Sequence, residues 1–142
     1  MRNFIKANKK HADCAIVGTY NAKVWLNGRA SYRKIESLAK KKYSYTSQEG
    51  LSNTFVQDFW KDLGINTVNF HGLTVQYAEK EILNGRAAFA SVRYVNDEDS
   101  HIVFLVPKDR TIEVINFNCT WIELVEKFLK GEVKLSIWMV NP

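Results

Sequence analysis

At Ala87 the hydrophobic rhythm of the chain changes. Ahead of it, apolar residues recur at helical spacing in four stretches, marked by Ala15, Ile16, Val17 and Ala22, by Ile35, Leu38 and Ala39, by Leu51, Phe55, Val56, Phe59 and Leu63, and by Val75, Ala78 and Ile82. Beyond it come short runs rich in β-branched and aromatic residues, Ala88 to Tyr94, His101 to Val106, Thr111 to Phe117 and Val133 to Val140, separated by turn formers. Helices first and strands second make an α+β chain, with N-terminal helices packed on one C-terminal antiparallel sheet. At 142 residues and 46% hydrophobic content the reading is one domain over 1–142, large enough to bury a core without disulfides or metal.

Local signals set the expected boundaries. Residues 1–12 form a polar leader whose Phe4 and Ile5 dock on the body. The first helix runs from Asp13, its expected N-cap, to about Leu26 and stops at Asn27-Gly28, and the second follows a Ser31 cap to about Lys41. The third starts between Ser47 and Ser52 and ends at Gly64, Ile65 to Phe70 is an extended link, and the fourth covers Leu73 to Leu83. Thr120-Trp121-Ile122-Glu123 is a capping box opening a helix that ends at Gly131. The acidic stretch 95–100 is an exposed loop that delivers the chain to His101.

Two distant cysteines and the lack of a signal-like or membrane-length apolar segment point to a reducing, cytoplasmic setting, with unconventional export or virion association left open. The net charge of +5 comes largely from Lys6, Lys9 and Lys10 and from Arg33, Lys34 and Lys40 to Lys42. An acidic partner or nucleic acid fits such a balance, but no aromatic-plus-basic stripe accompanies it, so a solvated helix face is preferred. Oligomeric state is not encoded in any recognisable pattern.

Chemistry concentrates at Cys14. As the first residue of a helix behind Asp13, its thiolate would feel free N–H groups and the positive end of the helix dipole, which lowers a thiol pKa, although the charge of Asp13 opposes this. The competing reading is a small buried hydrophobe. Gly18, one turn on, has no side chain and suits close approach of another element. A thiol nucleophile needs a base and the base an orienting group. His11 precedes Cys14 by three residues on a loop, and His71 lies in a turn without an obvious partner. His101 is better placed. If Pro107 to Arg110 closes a symmetric hairpin, Leu105 faces Ile112, Val103 faces Val114 and His101 faces Asn116, with Cβ atoms roughly 4.5–5.5 Å apart, so the Asn116 side chain can accept Nδ1–H and leave Nε2 toward the thiol. That face is expected to pack on the first helix, with Cys14 and Gly18 pointing at it. Cys119 reads as a small hydrophobe ahead of a helix, or as a redox partner of Cys14.

The order Asp13-Cys14, then His-Ile-Val-Phe-Leu over 101–105, then Ile-Glu-Val-Ile-Asn over 112–116 resembles the papain-like cysteine peptidases, and among them the branch that processes double-glycine bacteriocin leaders, over about Asn8 to Gly131. The resemblance implies a papain-like fold and a thiol hydrolase acting on a peptide or protein substrate or related amide. Cys14 would be the nucleophile, His101 the base, Asn116 the orienting residue, and Asn8 with the Cys14 backbone N–H the oxyanion hole; no cofactor, metal or membrane is implied. Ala15 replaces the branch's glycine, Asn8 its glutamine and Asn116-Phe117 its Asp-Pro, and the papain signature around the cysteine is absent. Acyl transfer on the same residues, or a basic viral or bacterial binding or structural protein that has lost the chemistry, are the alternatives.

Overall fold

The computed structural model describes residues 3–69 and 75–142; His71 and the expected helix start at Leu73 lie outside them. Its elements are α1 (Cys14–Asn27), α2 (Tyr32–Lys42), α3 (Val56–Asp62), β1 (Thr67–Asn69), α4 (Val75–Leu83), β2 (Ala88–Tyr94), β3 (His101–Lys108), β4 (Thr111–Ile115), α5 (Trp121–Leu129) and β5 (Val133–Val140). The strands form one sheet in the order β1-β5-β2-β3-β4, antiparallel at every pairing. The fold is α+β. No helix among the described residues is long and apolar enough to cross a membrane.

The sheet separates two apolar layers. On one face lie Phe89, Ile102, Phe104, Val106, Ile115 and Trp138, under Ala15, Ile16 and Ala22 of α1, Ile35 and Ala39 of α2, and Phe59 and Trp60 of α3. On the other lie Ala88, Ala90, Val103, Leu105, Ile112 and Met139, under Val75, Ala78 and Ile82 of α4 and Trp121 and Leu124 of α5. The early helices thus cover one face, whereas α4 and α5 cover the other.

Helix α1 is buried almost all round, which is why its apolar residues follow no single stripe. Its polar side chains are satisfied internally. Asn21 binds both main-chain groups of Ile5, accepting from N at 2.8 Å and donating to O at 2.9 Å, so the leader lies against the helix as a strand would. Thr19 donates to Ala15 O at 2.6 Å and accepts from Trp60 Nε1 at 2.9 Å. Trp60 stacks on Phe89 with centroids 3.8 Å apart and planes 6° from parallel. Phe4 meets Phe104 edge-on at 6.1 Å, so the leader docks as expected.

Several expectations are corrected. Helix α3 begins at Val56, after Phe55, which is exposed; the preceding residues form a turn in which Ser52 accepts from the N–H groups of Thr54 and Phe55. The expected link after Gly64 holds a strand, β1, with Thr67 opposite Val140. The β3–β4 hairpin turns on Asp109 and Arg110, both at positive φ (49° and 67°), so that Lys108 pairs with Thr111 and Leu105 with Val114. Two-residue turns of this hand match the twist of the strands and displace the longer symmetric turn. The register moves by two residues, which preserves the faces but takes His101 out of line with Asn116, and the ladder itself ends at Phe104 and Ile115. The face carrying Val103, Leu105, Ile112 and Val114 packs under α4 and α5, not under α1.

Candidate active site

Cys14 opens α1 and is half-buried. Its sulfur accepts the main-chain N–H of Ile102 at 3.4 Å. The β3–β4 ladder ends at Phe104 and Ile115, so no residue of β4 opposes Ile102. The Ile102 N–H is therefore free for the thiol. Gly18 permits the approach: a Cβ there would lie 3.2 Å from Ile102 Cγ2 and 3.7 Å from Phe89 Cε1. The expected close contact at Gly18 is present, made with the opposite face of the sheet.

Burial raises the thiol pKa, the Ile102 and Ala15 N–H groups oppose that rise, and the charge of Asp13 adds to it. The net direction is upward, contrary to the lowering expected from the helix end: desolvation of the thiolate outweighs the N–H groups. Asp13 does not cap α1 with its side chain. Its fully buried carboxylate turns back to the leader, where Oδ2 accepts from the N–H of Lys9 at 3.2 Å, the N–H of Lys10 at 3.1 Å and the Tyr32 hydroxyl at 2.5 Å.

His101 opens β3, and its Nε2 lies 2.5 Å from the main-chain O of Asn116. A carbonyl only accepts, so Nε2 carries a proton, and in the neutral tautomer the lone pair is on Nδ1. The arrangement differs from the one expected: Asn116 bonds the ring through its backbone and at Nε2, which leaves Nδ1 rather than Nε2 outside that bond. The cause is the left-handed backbone of Asn116 (φ 71°), which turns the chain out of β4. The ring also faces Phe117, with centroids 5.7 Å apart.

The Asn116 side chain instead donates to Asn8 Oδ1 at 2.7 Å, while Asn8 Nδ2 donates to His11 O at 3.4 Å. Asn8 thus bridges the leader to the end of β4. Asn8, His11, Cys14, His101 and Asn116 all line one cleft of about 710 Å³, together with Gln48 to Leu51 and with Asp97, Asp99 and Ser100. Gly50, at φ 81°, is required here, since a Cβ would lie 3.0 Å from Ala12 O. A second cleft of about 700 Å³ continues from Glu49 to Leu51 and Asp99-Ser100 toward Asn53, Ser91 and Ser136.

Cys119 lies in a separate cavity with Thr111, Ile112 and Trp121, away from Cys14, and both cysteines are free. Among the described residues no group of three His, Cys, Asp or Glu is placed to hold a metal ion. Sequence reasoning missed the Ile102 N–H, which no side-chain pattern reports, and the backward clasp of Asp13, which reads in sequence as an ordinary helix cap. Comparison with protein-family models and with curated proteins returned no match.

Proposed function

We propose that the chain is a papain-like thiol hydrolase that cleaves a peptide or related amide through Cys14 and His101. The observation that carries this reading is one cleft lined by a thiol at a helix start, an imidazole whose Nε2 is pinned so that Nδ1 is the free base, and two asparagine amides. His101 Nδ1 takes the Cys14 proton as the sulfur attacks the substrate carbonyl, so the thiol is neutral at rest and ionises only as it reacts. The Asn116 carbonyl stabilises the imidazolium through Nε2–H. The Cys14 N–H and the Asn8 amide receive the oxyanion, for which Asn8 Nδ2 exchanges its long bond to His11 O. The imidazolium then protonates the leaving amine, and water, deprotonated by the same ring, releases the acid from the thioester.

The test is a fluorogenic peptide library with mass analysis of the products. Wild type cleaves members of the set, and Cys14→Ser and His101→Ala abolish cleavage. Loss of the Asn8 amide lowers kcat by roughly a hundredfold to a thousandfold. Products bearing an added amine in place of a free carboxylate would assign acyl transfer instead, and cleavage surviving in Cys14→Ser would refute the reading.

A further inference from the structure

We propose that Asp13 is a positioning residue of this site: its buried carboxylate clasps the turn at Lys9 and Lys10 and so fixes Asn8 relative to the end of α1 that carries Cys14. The proposal rests on the thiol-hydrolase reading for its catalytic consequence, but the clasp itself is a matter of geometry.

Asp13 is fully buried, where a carboxylate is expensive, and its hydrogen bonds are all made by Oδ2, Oδ1 being buried without a partner among the described residues. Three donors converge on Oδ2, two of them the consecutive main-chain N–H groups of Lys9 and Lys10. Asn8 directly precedes this pair, and Cys14 directly follows Asp13. The carboxylate therefore closes a short loop whose two ends carry the oxyanion amide and the nucleophile. Nothing else among the described hydrogen bonds ties the main chain of residues 8–10 to α1. Tyr32 adds a fixed point from α2, its hydroxyl bonded to the same oxygen.

The arrangement has a cost that a purely structural capping residue would not carry. A negative charge one residue from the sulfur opposes thiolate formation. An asparagine in this position would accept from the same N–H groups through its one oxygen without that charge. The aspartate thus couples two effects, placement of Asn8 and suppression of the resting thiolate, and substitution separates them.

The test uses Asp13→Asn, Asp13→Ala and Tyr32→Phe, each with Cys119→Ser so that one thiol remains. Amide hydrogen exchange at Lys9 and Lys10 reads the clasp: at least tenfold faster exchange is expected in Asp13→Ala, and near wild-type exchange in Asp13→Asn. The pH dependence of iodoacetamide labelling reads the charge, and its midpoint is expected to fall in Asp13→Asn, where the carboxylate beside the thiol is gone. The other groups around the thiol, Tyr45 after α2, His101 and the Ile102 N–H on β3, and Lys6, His11 and Glu49 along the cleft, are the same in that variant. In the peptide assay Asp13→Ala lowers kcat by roughly ten- to a hundredfold with little change in KM, Asp13→Asn recovers most of the loss, and Tyr32→Phe falls between. Unchanged exchange at both lysine amides in Asp13→Ala, or a labelling midpoint in Asp13→Asn that stays or rises, overturns the proposal. Because folding of Asp13→Ala is not assured, Asp13→Asn and Tyr32→Phe carry the test if it fails. If wild type cleaves no peptide, the hydrolase reading falls, while exchange and labelling still decide the clasp.

Discussion

Replacing Gly18 by Ala sets two opposing energies against each other at the contact that holds the thiol. In a helix interior alanine is favoured over glycine by about 1 kcal/mol. Against this, the new Cβ would stand 3.2 Å from Ile102 Cγ2, tighter than ordinary van der Waals contact, with Phe89 at 3.7 Å behind it. Ile102 is 2% exposed and Phe89 fully buried, so neither can swing into solvent, and α1 must move off the sheet by a few tenths of an ångström. Overpacking of this kind costs about 1–3 kcal/mol, which leaves a net loss of about 0–2 kcal/mol in urea unfolding. Gly18→Val, with two further atoms, loses about 3 kcal/mol or more. The displacement also lengthens the bond from the Ile102 N–H to Cys14 Sγ, already 3.4 Å. That N–H lowers the thiol pKa, so the midpoint of iodoacetamide labelling at Cys14 moves up. A Gly18→Ala protein stabilised by the full 1 kcal/mol of helix propensity, with an unmoved labelling midpoint, would show that the helix does not rely on the missing side chain to reach β3.

Thr19→Val leaves the buried Trp60 Nε1–H without its acceptor and costs about 1–3 kcal/mol in urea unfolding, whereas Thr19→Ser keeps the bond and loses less. Glu36 accepts from the Lys10 ammonium at 2.6 Å, which holds its carboxyl below the ordinary range. Its stabilising effect is therefore complete above about pH 4.5 and is lost as pH falls through the lowered folded value, and Glu36→Gln flattens that acid limb of the stability profile. At Asn116, alanine loses about 1–2 kcal/mol to the left-handed backbone and also breaks the bridge to Asn8, while glycine breaks only the bridge. Equal stability of the two variants would contradict the backbone argument, and full peptidase activity in both would remove the bridge from the mechanism.

What was legible in the sequence was local. Gly28 and Gly64 end their helices at φ 81° and 78°, Ser31 caps α2 by accepting from Lys34 N–H, and Thr120 with Glu123 forms the capping box of α5, each set by residues within a turn of one another. The four later strands follow from runs of residues that fit a pleated surface. Register and facing were not legible. Asp109 and Arg110 both adopt positive φ without glycine, so the two-residue turn has no sequence signature, and His101 to Val106 is apolar on both faces after its first residue, giving no sign of which one meets α1. Thr67-Val68-Asn69 becomes a strand through its partner β5 rather than its own composition. At the site, Asn8, Cys14, His101 and Asn116 line one cleft, yet the bonds among them differ from those expected, because two of the groups involved, the Ile102 N–H and the Asn116 carbonyl, belong to the main chain.

The leader segment has a relation to the rest of the protein like that of a peptide to its receptor. Ile5 is gripped at both main-chain groups by Asn21, Phe4 lies against Phe104, Lys6 reaches Glu113 at 3.4 Å, and Asn8 meets Asn116, so α1, β3, β4 and the turn beyond it all hold one extended stretch. Covalent tethering through residues 9–13 maintains that stretch at a local concentration on the order of millimolar. A molecule entering the cleft beside Asn8 meets a rival that never diffuses away, and has to bind alongside it or outcompete it.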